Sequence, residues 1–350
     1  VARFLHGRGE AFAVVDSRED PPGLAALREE MPQVPVLLGG WHQQVLDTAG
    51  ELVVSPGLSP DEPALREAVA AGATLCGDID LFVAAATAPV VGITGSNGKS
   101  TVTALLGEMA ARAGREVGVG GNLGPPALEL LDDARDLYVL ELSSFQLERA
   151  GDLNLEVATV LNVSADHLDR HGTMQRYHQA KHRIFRGCKT AVVNRDDPLT
   201  IPLLAADVEV ISWRLGEPEL EGFGLRDSEG EEYFCHGFEP LLPTRELAMA
   251  GRHNVANALA ALALGHAAGL SREAMVATLR EFGGLPHRCQ RVDRIDGVNF
   301  VNDSKGTNVG ATIAALNGMG GDGNILLIAG GQGKGADFSQ LRPAVASHCK

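Results

Sequence analysis

The stretch Ala88–Ala110, APVVGITGSNGKSTVTALLGEMA, constrains the fold more than any other part of the chain. The run Val90–Thr94 is short, apolar and β-branched, as a strand buried on both faces should be. A glycine-rich turn follows at once, and then a pattern that predicts a helix over Ser100–Ala113. Strand, turn and helix in this order are what a phosphate-cradling loop requires. Gly95 and Gly98 let the backbone turn its N–H groups inward, and the helix starting near Lys99 adds the positive end of its dipole. Lys99 would reach the β- and γ-phosphates and the Ser100 hydroxyl a Mg²⁺ ion. The candidate nucleotide-binding set is therefore Gly95, Ser96, Asn97, Gly98, Lys99, Ser100 and Thr101. Position 93 is Ile where the common spacing has its first glycine. A ligand-free strand–helix connection is the bland alternative. The site favours ATP but does not by itself name a reaction.

The rest of the chain repeats the alternation. Apolar runs fall at Phe12–Asp16, Glu51–Ser55, Leu137–Leu142, Val157–Val163, Thr190–Asn194, Val208–Trp213, Val298–Asn302 and Asn324–Ala329. Helical patterns fall at Asn254–Ala268, Ser271–Phe282 and Gly310–Asn317. This predicts an α/β protein with a parallel sheet and helices on both faces. Gly/Pro punctuation at FGGLPHR, Phe282–Arg288, and the joint at Cys76–Asp80 divide the chain into 1–77, 78–284 and 285–350. The expected domains are Rossmann-like, P-loop ATPase-like with a parallel sheet, and partial Rossmann-like. Residues 217–244 read as short antiparallel strands. The first and last domains look truncated, because each lacks strands that an open sheet of this kind needs.

Composition limits the functions open to such a fold. The 350 residues are 45% hydrophobic and carry a formal net charge of −15. That argues against nucleic acid or an anionic membrane as a general surface partner. No apolar run is long enough to span a bilayer, so no membrane insertion is expected, and the opening residues are not patterned as a signal peptide. Cys76, Cys188, Cys235, Cys289 and Cys349 are widely spaced, without a C-x-x-C pair. Reduced cysteines in a cytoplasmic protein are the expectation.

Three further patches fall where strands end, which is where open α/β sheets bind ligands. Glu141 in LYVLELSSFQLE is a carboxylate partner for the nucleotide's Mg²⁺, or else a capping or salt-bridged residue. In ATVLNVSADHLDRHG, Asn162, Asp166, His167 and Asp169 follow a strand directly. One histidine helping to hold a second Mg²⁺, a two-histidine zinc site at His167 and His171, and an ordinary surface cluster all stay open there. Lys181 lies among His178, His182 and Arg183, either on a solvated basic face or as a crowded, neutral amine able to take up CO₂. Asn122 is a candidate for a phosphate or sugar. Lys305, Thr307 and Lys334 are candidates for a carboxylate substrate, and Asp303 for a ribose or a water.

TGSNGKST, LELSSFQLE, DHLDR, the Lys181 helix, GRHNVANALAALAL, GLPHR and NDSKGTN occur in this order over essentially the whole chain. Together they resemble the Mur ligase family of ATP-dependent, amide-forming enzymes of peptidoglycan synthesis. The words LELSSFQL, LPHR and NDSKGTN are similar to its D-glutamate-adding branch. The resemblance implies an acyl-phosphate ligase with UDP-N-acetylmuramoyl-L-alanine and D-glutamate as substrates, acting as a monomer. It implies catalytic roles for Lys99, His167 and Lys181. It further implies Ser100 and Glu141 on one Mg²⁺, and His167 with a carbamylated Lys181 on a second. Asn257, Arg288 and Asp303 would contact ATP. Asp16, Ser17, Arg18, Ser55, Asn122 and Ser143 would hold the nucleotide-sugar side, and Thr307 and Lys334 the D-glutamate. A folylpolyglutamate synthase-like ligase and a non-catalytic nucleotide-binding protein are the competing readings.

Overall fold

The computed structural model describes residues 1–321, 323–333 and 336–350. Lys334, a carboxylate-binding candidate, lies outside the described residues. Strands are numbered along the chain: β1 Val14–Asp16, β2 Val36–Leu38, β3 Glu51–Val53, β4 Thr74–Cys76, β5 Val90–Thr94, β6 Val117–Gly121, β7 Leu137–Glu141 and β8 Val157–Val160. There follow β9 Thr190–Asn194, β10 Glu209–Trp213, β11 Phe223–Ser228, β12 Glu231–His236, β13 Glu239–Pro243, β14 Gln290–Ile295 and β15 Val298–Asn302. The helices that shape the site are α1 Lys99–Arg112, α2 Met174–His182, α3 Arg252–Ala267, α4 Arg272–Glu281 and α5 Val309–Met319.

A nine-stranded sheet in the order β13-β12-β11-β10-β9-β8-β5-β7-β6 forms the centre. It is parallel from β6 across to β11, and β11–β13 finish it as an antiparallel meander. Strands β5, β7 and β9 are buried at every position, as their continuous apolar runs require. The chain leaves β5 through α1 to β6, skipping one place, and returns through β7 before crossing to β8 on the other side. The crevice at the end of β5 is thus the topological switch point, flanked by β7 and β8.

One core packs α1, α3 and α4 against one face of the sheet, through residues such as Leu105, Leu106, Met109, Leu259 and Leu279. The alanine-rich α3 is buried over most of its circumference, so a helix this apolar belongs inside the protein. The second core covers the opposite face through Phe82, Tyr138, Leu147, Tyr177 and Ile184. Residues near the N-terminus form two separate parallel pairs, β1 with β2 and β3 with β4.

The last segment departs from the sequence expectation in two places. Val298–Asn302 is a strand, but it pairs antiparallel with β14 and its side chains are largely exposed. The cause is the Asp296–Gly297 turn, with φ of 49° and 84°, which closes a tight hairpin. Asn324–Ala329 is not a strand: Ile325 alone bridges to Cys349, and Ile328 is 99% exposed. An apolar run becomes a strand only where a neighbour shares its backbone groups. Strands β2 and β4 escaped the sequence reading because each is only three residues long.

Gly120 tests how tightly this sheet grips its loops. A Cβ there would stand 2.4 Å from the Pro125 carbonyl oxygen and 2.9 Å from Leu130 Cδ1. The same carbonyl holds the Gly121 N–H at 2.9 Å, so it cannot retreat without opening the turn that presents Asn122. Gly120→Ala should cost ~1–3 kcal/mol by overpacking. The expected result is a lower urea midpoint for the central unit, and an unchanged midpoint would contradict the packing described.

Candidate nucleotide and ligation site

The loop between β5 and α1 is held in shape by residues just past β8 and by one from α2. Asn162, just past β8, accepts from the Asn97 N–H at 2.8 Å and donates to the Asn97 carbonyl at 3.0 Å. The Ser96 hydroxyl donates to the Ser164 carbonyl and accepts from the Ser164 N–H, both at 2.9 Å. The buried Tyr177 hydroxyl lies 3.0 Å from Ser96 Oγ. Gly98 caps α1 with a left-handed φ of 82°, and Asn257 Oδ1 lies 2.5 Å from where a Cβ would be. The left-handed conformation is what favours glycine there.

Two lysines converge on this loop. Lys99 Nζ donates to the Gly95 and Ser96 carbonyls at 2.9 and 3.0 Å. Lys181 Nζ, from α2, donates to the same Gly95 carbonyl at 2.8 Å and stands 4.6 Å from the Tyr177 ring centre. Lys181 is 2% exposed, which overturns the solvated-face alternative. Burial first, and then the charge of Lys99, push its pKa well below the ordinary lysine value, against the pull of Asp166 and Glu141. The crowding that favours a neutral amine therefore comes from Lys99, across the fold, and not from His178, His182 or Arg183. Those three turn elsewhere: His178 and His182 stack at 3.9 Å, and Arg183 donates to the Ala150 carbonyl. Lys99 is also pushed down by burial, and less so because Glu141 and Asp166 oppose it.

Glu141 ends β7, opposite Ile93 of β5, and is 2% exposed. Its Oε1 accepts from Asn122 Nδ2 at 2.7 Å, while Oε2 is buried without a hydrogen-bond partner among the described residues. An unpartnered buried carboxylate oxygen is costly unless a cation comes to it. The residues therefore fit a Mg²⁺ ion. Among the described residues, no three His, Cys, Asp or Glu side chains gather to hold a metal by themselves. Further ligands would have to come from Ser100, from phosphate or from a carbamate.

His167 caps the helix Leu168–His171 with a left-handed φ of 52°, an uncommon conformation for a histidine. Its Nε2 lies 3.6 Å from Asp166 Oδ2, and its ring meets Phe145 edge-on at 4.9 Å. His171 is not a zinc ligand in this arrangement. It is 1% exposed, its Nε2 lies 3.0 Å from Ser144 Oγ, and it stacks on Phe145 at 5.4 Å. Asp169 points to solvent.

The last segment closes over the loop. Arg288 Nη2 donates to Ser100 Oγ at 2.7 Å, and Asn308, which caps α5, donates to Asn97 Oδ1 at 3.0 Å and Asp166 Oδ2 at 3.2 Å. Between these segments lies a cavity of about 380 Å³ lined by Asn97, Gly98, Thr101, Asn257, Arg288 and Asp303, with Lys305 and Trp213 further along. Asp303 Oδ1 accepts from the Cys289 N–H at 3.0 Å. Thr307 is exposed and does not line the cavity.

Other candidates sit apart from the loop. Asp16, the last residue of β1, pairs with Arg18 at 2.7 Å, and Arg18 holds the Asp16 carboxyl down to about 2. Ser17 beside them is exposed, as is Ser55 after β3. Ser143 caps the short helix Ser144–Leu147 and exchanges hydrogen bonds with Gln146. Sequence reasoning missed Asn308, Tyr177 and Arg149, whose roles come from contacts many residues away.

A switch-point phosphate loop, an unpaired carboxylate and two converging lysines define a nucleotide-dependent α/β enzyme. The Mur ligase middle domain model matches residues 93–265, and the model for the MurD-like N-terminal domain of Mur ligases matches residues 1–77. The chain belongs to the Mur ligase family. Among curated relatives, it is 57% identical to the UDP-N-acetylmuramoylalanine–D-glutamate ligase of Pseudomonas savastanoi pv. phaseolicola and 56% identical to that of Pseudomonas aeruginosa. Each alignment covers 100% of this chain and 79% of the relative. Solved structures share the fold at lower identity. One is a UDP-N-acetylmuramoyl-L-alanyl-D-glutamate–2,6-diaminopimelate ligase, 21% identical with a TM-score of 0.56, over 79% of this chain and 73% of that one. Another is MurF from Acinetobacter baumannii, 22% identical with a TM-score of 0.55, over 76% and 66%.

His171 also sets a pH dependence. Burial pushes its pKa from the ordinary 6.5 down to about 4. The unfolded chain takes up this proton below about 6.5 and the folded chain only near 4, so acidification favours unfolding in that window. Stability should be whole above the window and fall by up to ~3 kcal/mol through it. His182, His253 and His266 are pushed down by burial as well and add to the slope. Urea midpoints across this range should show the fall, and His171→Gln should flatten it. An unaltered slope would remove His171 as a cause.

Proposed function

We propose that this chain is an ATP-dependent amide ligase that adds D-glutamate to UDP-N-acetylmuramoyl-L-alanine in peptidoglycan precursor synthesis. The observation that carries the reading is the unpaired Glu141 oxygen beside a loop gripped by Lys99 and Lys181. The close relatives, ligases named for D-glutamate, favour it over a folylpolyglutamate synthase-like ligase and over a protein that only binds nucleotide.

A carboxylate is a poor acyl donor because its leaving group would be oxide. Phosphorylation by ATP gives an acyl phosphate, and the D-glutamate amine then displaces phosphate through a tetrahedral intermediate. The N–H groups of residues 95–101 and the start of α1 would receive the triphosphate. Lys99 would exchange the loop carbonyls for the β- and γ-phosphates, and Arg288 would exchange Ser100 for a phosphate. Asn257 and Asp303 line the cavity suited to the rest of the nucleotide. We assign Asp16, Ser17, Arg18, Ser55, Asn122 and Ser143 to the nucleotide-sugar, and Lys305, Thr307 and Lys334 to the carboxylates of D-glutamate.

Ser100, Glu141, His167 and Lys181 would hold two Mg²⁺ ions, which supply charge neutralisation at the transferring phosphoryl group. In this reading Lys181 acts as a carbamate: its neutral amine adds to CO₂ and loses a proton, which leaves an anionic oxygen ligand. Three domains, 1–77, 78–284 and 285–350, would bring the substrates together around the loop. The ligase is taken to act as a monomer. The free cysteines suit the reducing cytoplasm, where ATP is at hand.

Two measurements test the proposal. ADP and phosphate should appear only when UDP-N-acetylmuramoyl-L-alanine and D-glutamate are both supplied, and release that ignores the amino acid would refute ligation. With ¹³C-bicarbonate, carbon NMR should show a carbamate signal that Lys181→Ala abolishes. A spectrum without that signal would leave Lys181 a plain amine.

A further inference from the structure

Arg149 is the most unusual charge in the molecule. It follows the short helix Ser144–Leu147, is 6% exposed, and has no carboxylate within ion-pair distance among the described residues. Its guanidinium instead faces backbone carbonyls of one loop after β3. Nη1 donates to Val54 O at 3.1 Å and to Ser55 O, while Nη2 donates to Leu58 O at 2.6 Å and to Pro56 O at 3.4 Å. Gly77 lies alongside the stem: a Cβ there would be in ordinary contact with Arg149 Cγ at 3.4 Å. Burial lowers the Arg149 pKa, and Glu148 and Asp78 oppose that from a distance.

Two more arginines grip the same stretch. Arg170 donates to Leu58 O at 2.7 Å and pairs with Glu148 at 3.0 Å, and Arg176 pairs with Asp61 at 2.8 Å. Arg149 differs from both because it is nearly wholly buried and its partners are carbonyls alone. A single planar fork satisfies carbonyls from four residues of a five-residue loop, a task that fits guanidinium and not ammonium. With those four carbonyls drawn to Arg149, the groups left on the exposed part of the loop include the Gly57 carbonyl, the Ser55 hydroxyl and the Gly57 N–H, which donates to Ser55 Oγ at 3.4 Å. The loop sits at the carboxyl end of β3, the side of a parallel pair where ligands bind.

We propose that Arg149 is a positioning residue for the nucleotide-sugar half of the site: it draws the carbonyls of Val54, Ser55, Pro56 and Leu58 inward, so that the loop meets an anionic diphosphate with its hydroxyl and N–H and not with those four carbonyl dipoles. This rests on the reading of the chain as a nucleotide-sugar ligase. Arg149 itself stays under the loop and does not touch the ligand. Its buried positive charge adds to the attraction for an anion above it.

The test compares Arg149→Met and Arg149→Lys with the unaltered protein in calorimetric titrations with UDP-N-acetylmuramoyl-L-alanine and, separately, with ATP. Arg149→Met should weaken nucleotide-sugar binding tenfold or more and leave ATP binding within twofold. Arg149→Lys, able to serve fewer carbonyls, should fall between. In steady-state assays the loss should appear in KM for the nucleotide-sugar, with kcat and KM for ATP little changed. Equal weakening of both ligands, or of neither, would overturn the proposal. Should Arg149→Met fail to fold, hydrogen exchange on the unaltered protein decides: nucleotide-sugar must slow exchange of the Gly57 amide. Binding without that protection would overturn the positioning role alone, whereas failure of the unaltered protein to bind nucleotide-sugar would overturn the functional reading and this inference with it.

Discussion

Two lysine nitrogens share one carbonyl oxygen, that of Gly95, and the chemistry of the site turns on this crowding. Two full positive charges so close in a buried place repel each other, and neither can recover the cost from water. The fold resolves the conflict unequally. Lys99 is half-buried and close to Glu141 and Asp166, whereas Lys181 is enclosed and gives way. The lowered proton affinity of this enclosed amine is what the carbamate proposed for Lys181 rests on. The carboxylate, the loop and the lysines come from β7, from β5 with α1, and from α2. Only the switch-point order of the strands brings them to one crevice.

The remaining contacts position other parts of the molecule relative to that crevice. Asn162 grips the loop from the β8 side, Asn308 reaches it from α5, and Arg288 touches the Ser100 hydroxyl. Each of these groups is polar, replaceable by solvent or ligand, and modest in strength. Such contacts can hold segments together at rest and still give way when a phosphate takes their place. The arginines at Val54–Asp61 join the N-terminal residues to the central sheet more permanently, because Arg149 is buried and serves four carbonyls at once.

The local chemistry was legible in the sequence to the extent that it is written in contiguous residues. TGSNGKST names its own turn, helix start and ligand class, because backbone conformation and dipole depend on neighbours along the chain. The buried strands announced themselves through unbroken apolar runs. The hairpin at β14 and β15 was written in Asp296–Gly297 as well, but a run of apolar residues was given more weight than the turn beside it. Asn324–Ala329 shows the limit of that weighting, since apolar character without a pairing neighbour does not make a strand.

Sequence by itself determined the phosphate loop, the alternation that builds a parallel sheet, and the identity of the chemically active side chains. Tertiary structure alone decided what those side chains are. It made Lys181 a buried amine lowered by Lys99, where the sequence offered three neighbouring cations as the cause. It assigned His171 to packing and left Glu141 with an unanswered oxygen. It gave Arg149 a loop to hold, though the two are about ninety residues apart in the chain. The reason is that protonation, burial and hydrogen-bond satisfaction are properties of surroundings. A residue's surroundings are set by strand order and helix packing, which no short stretch of sequence contains.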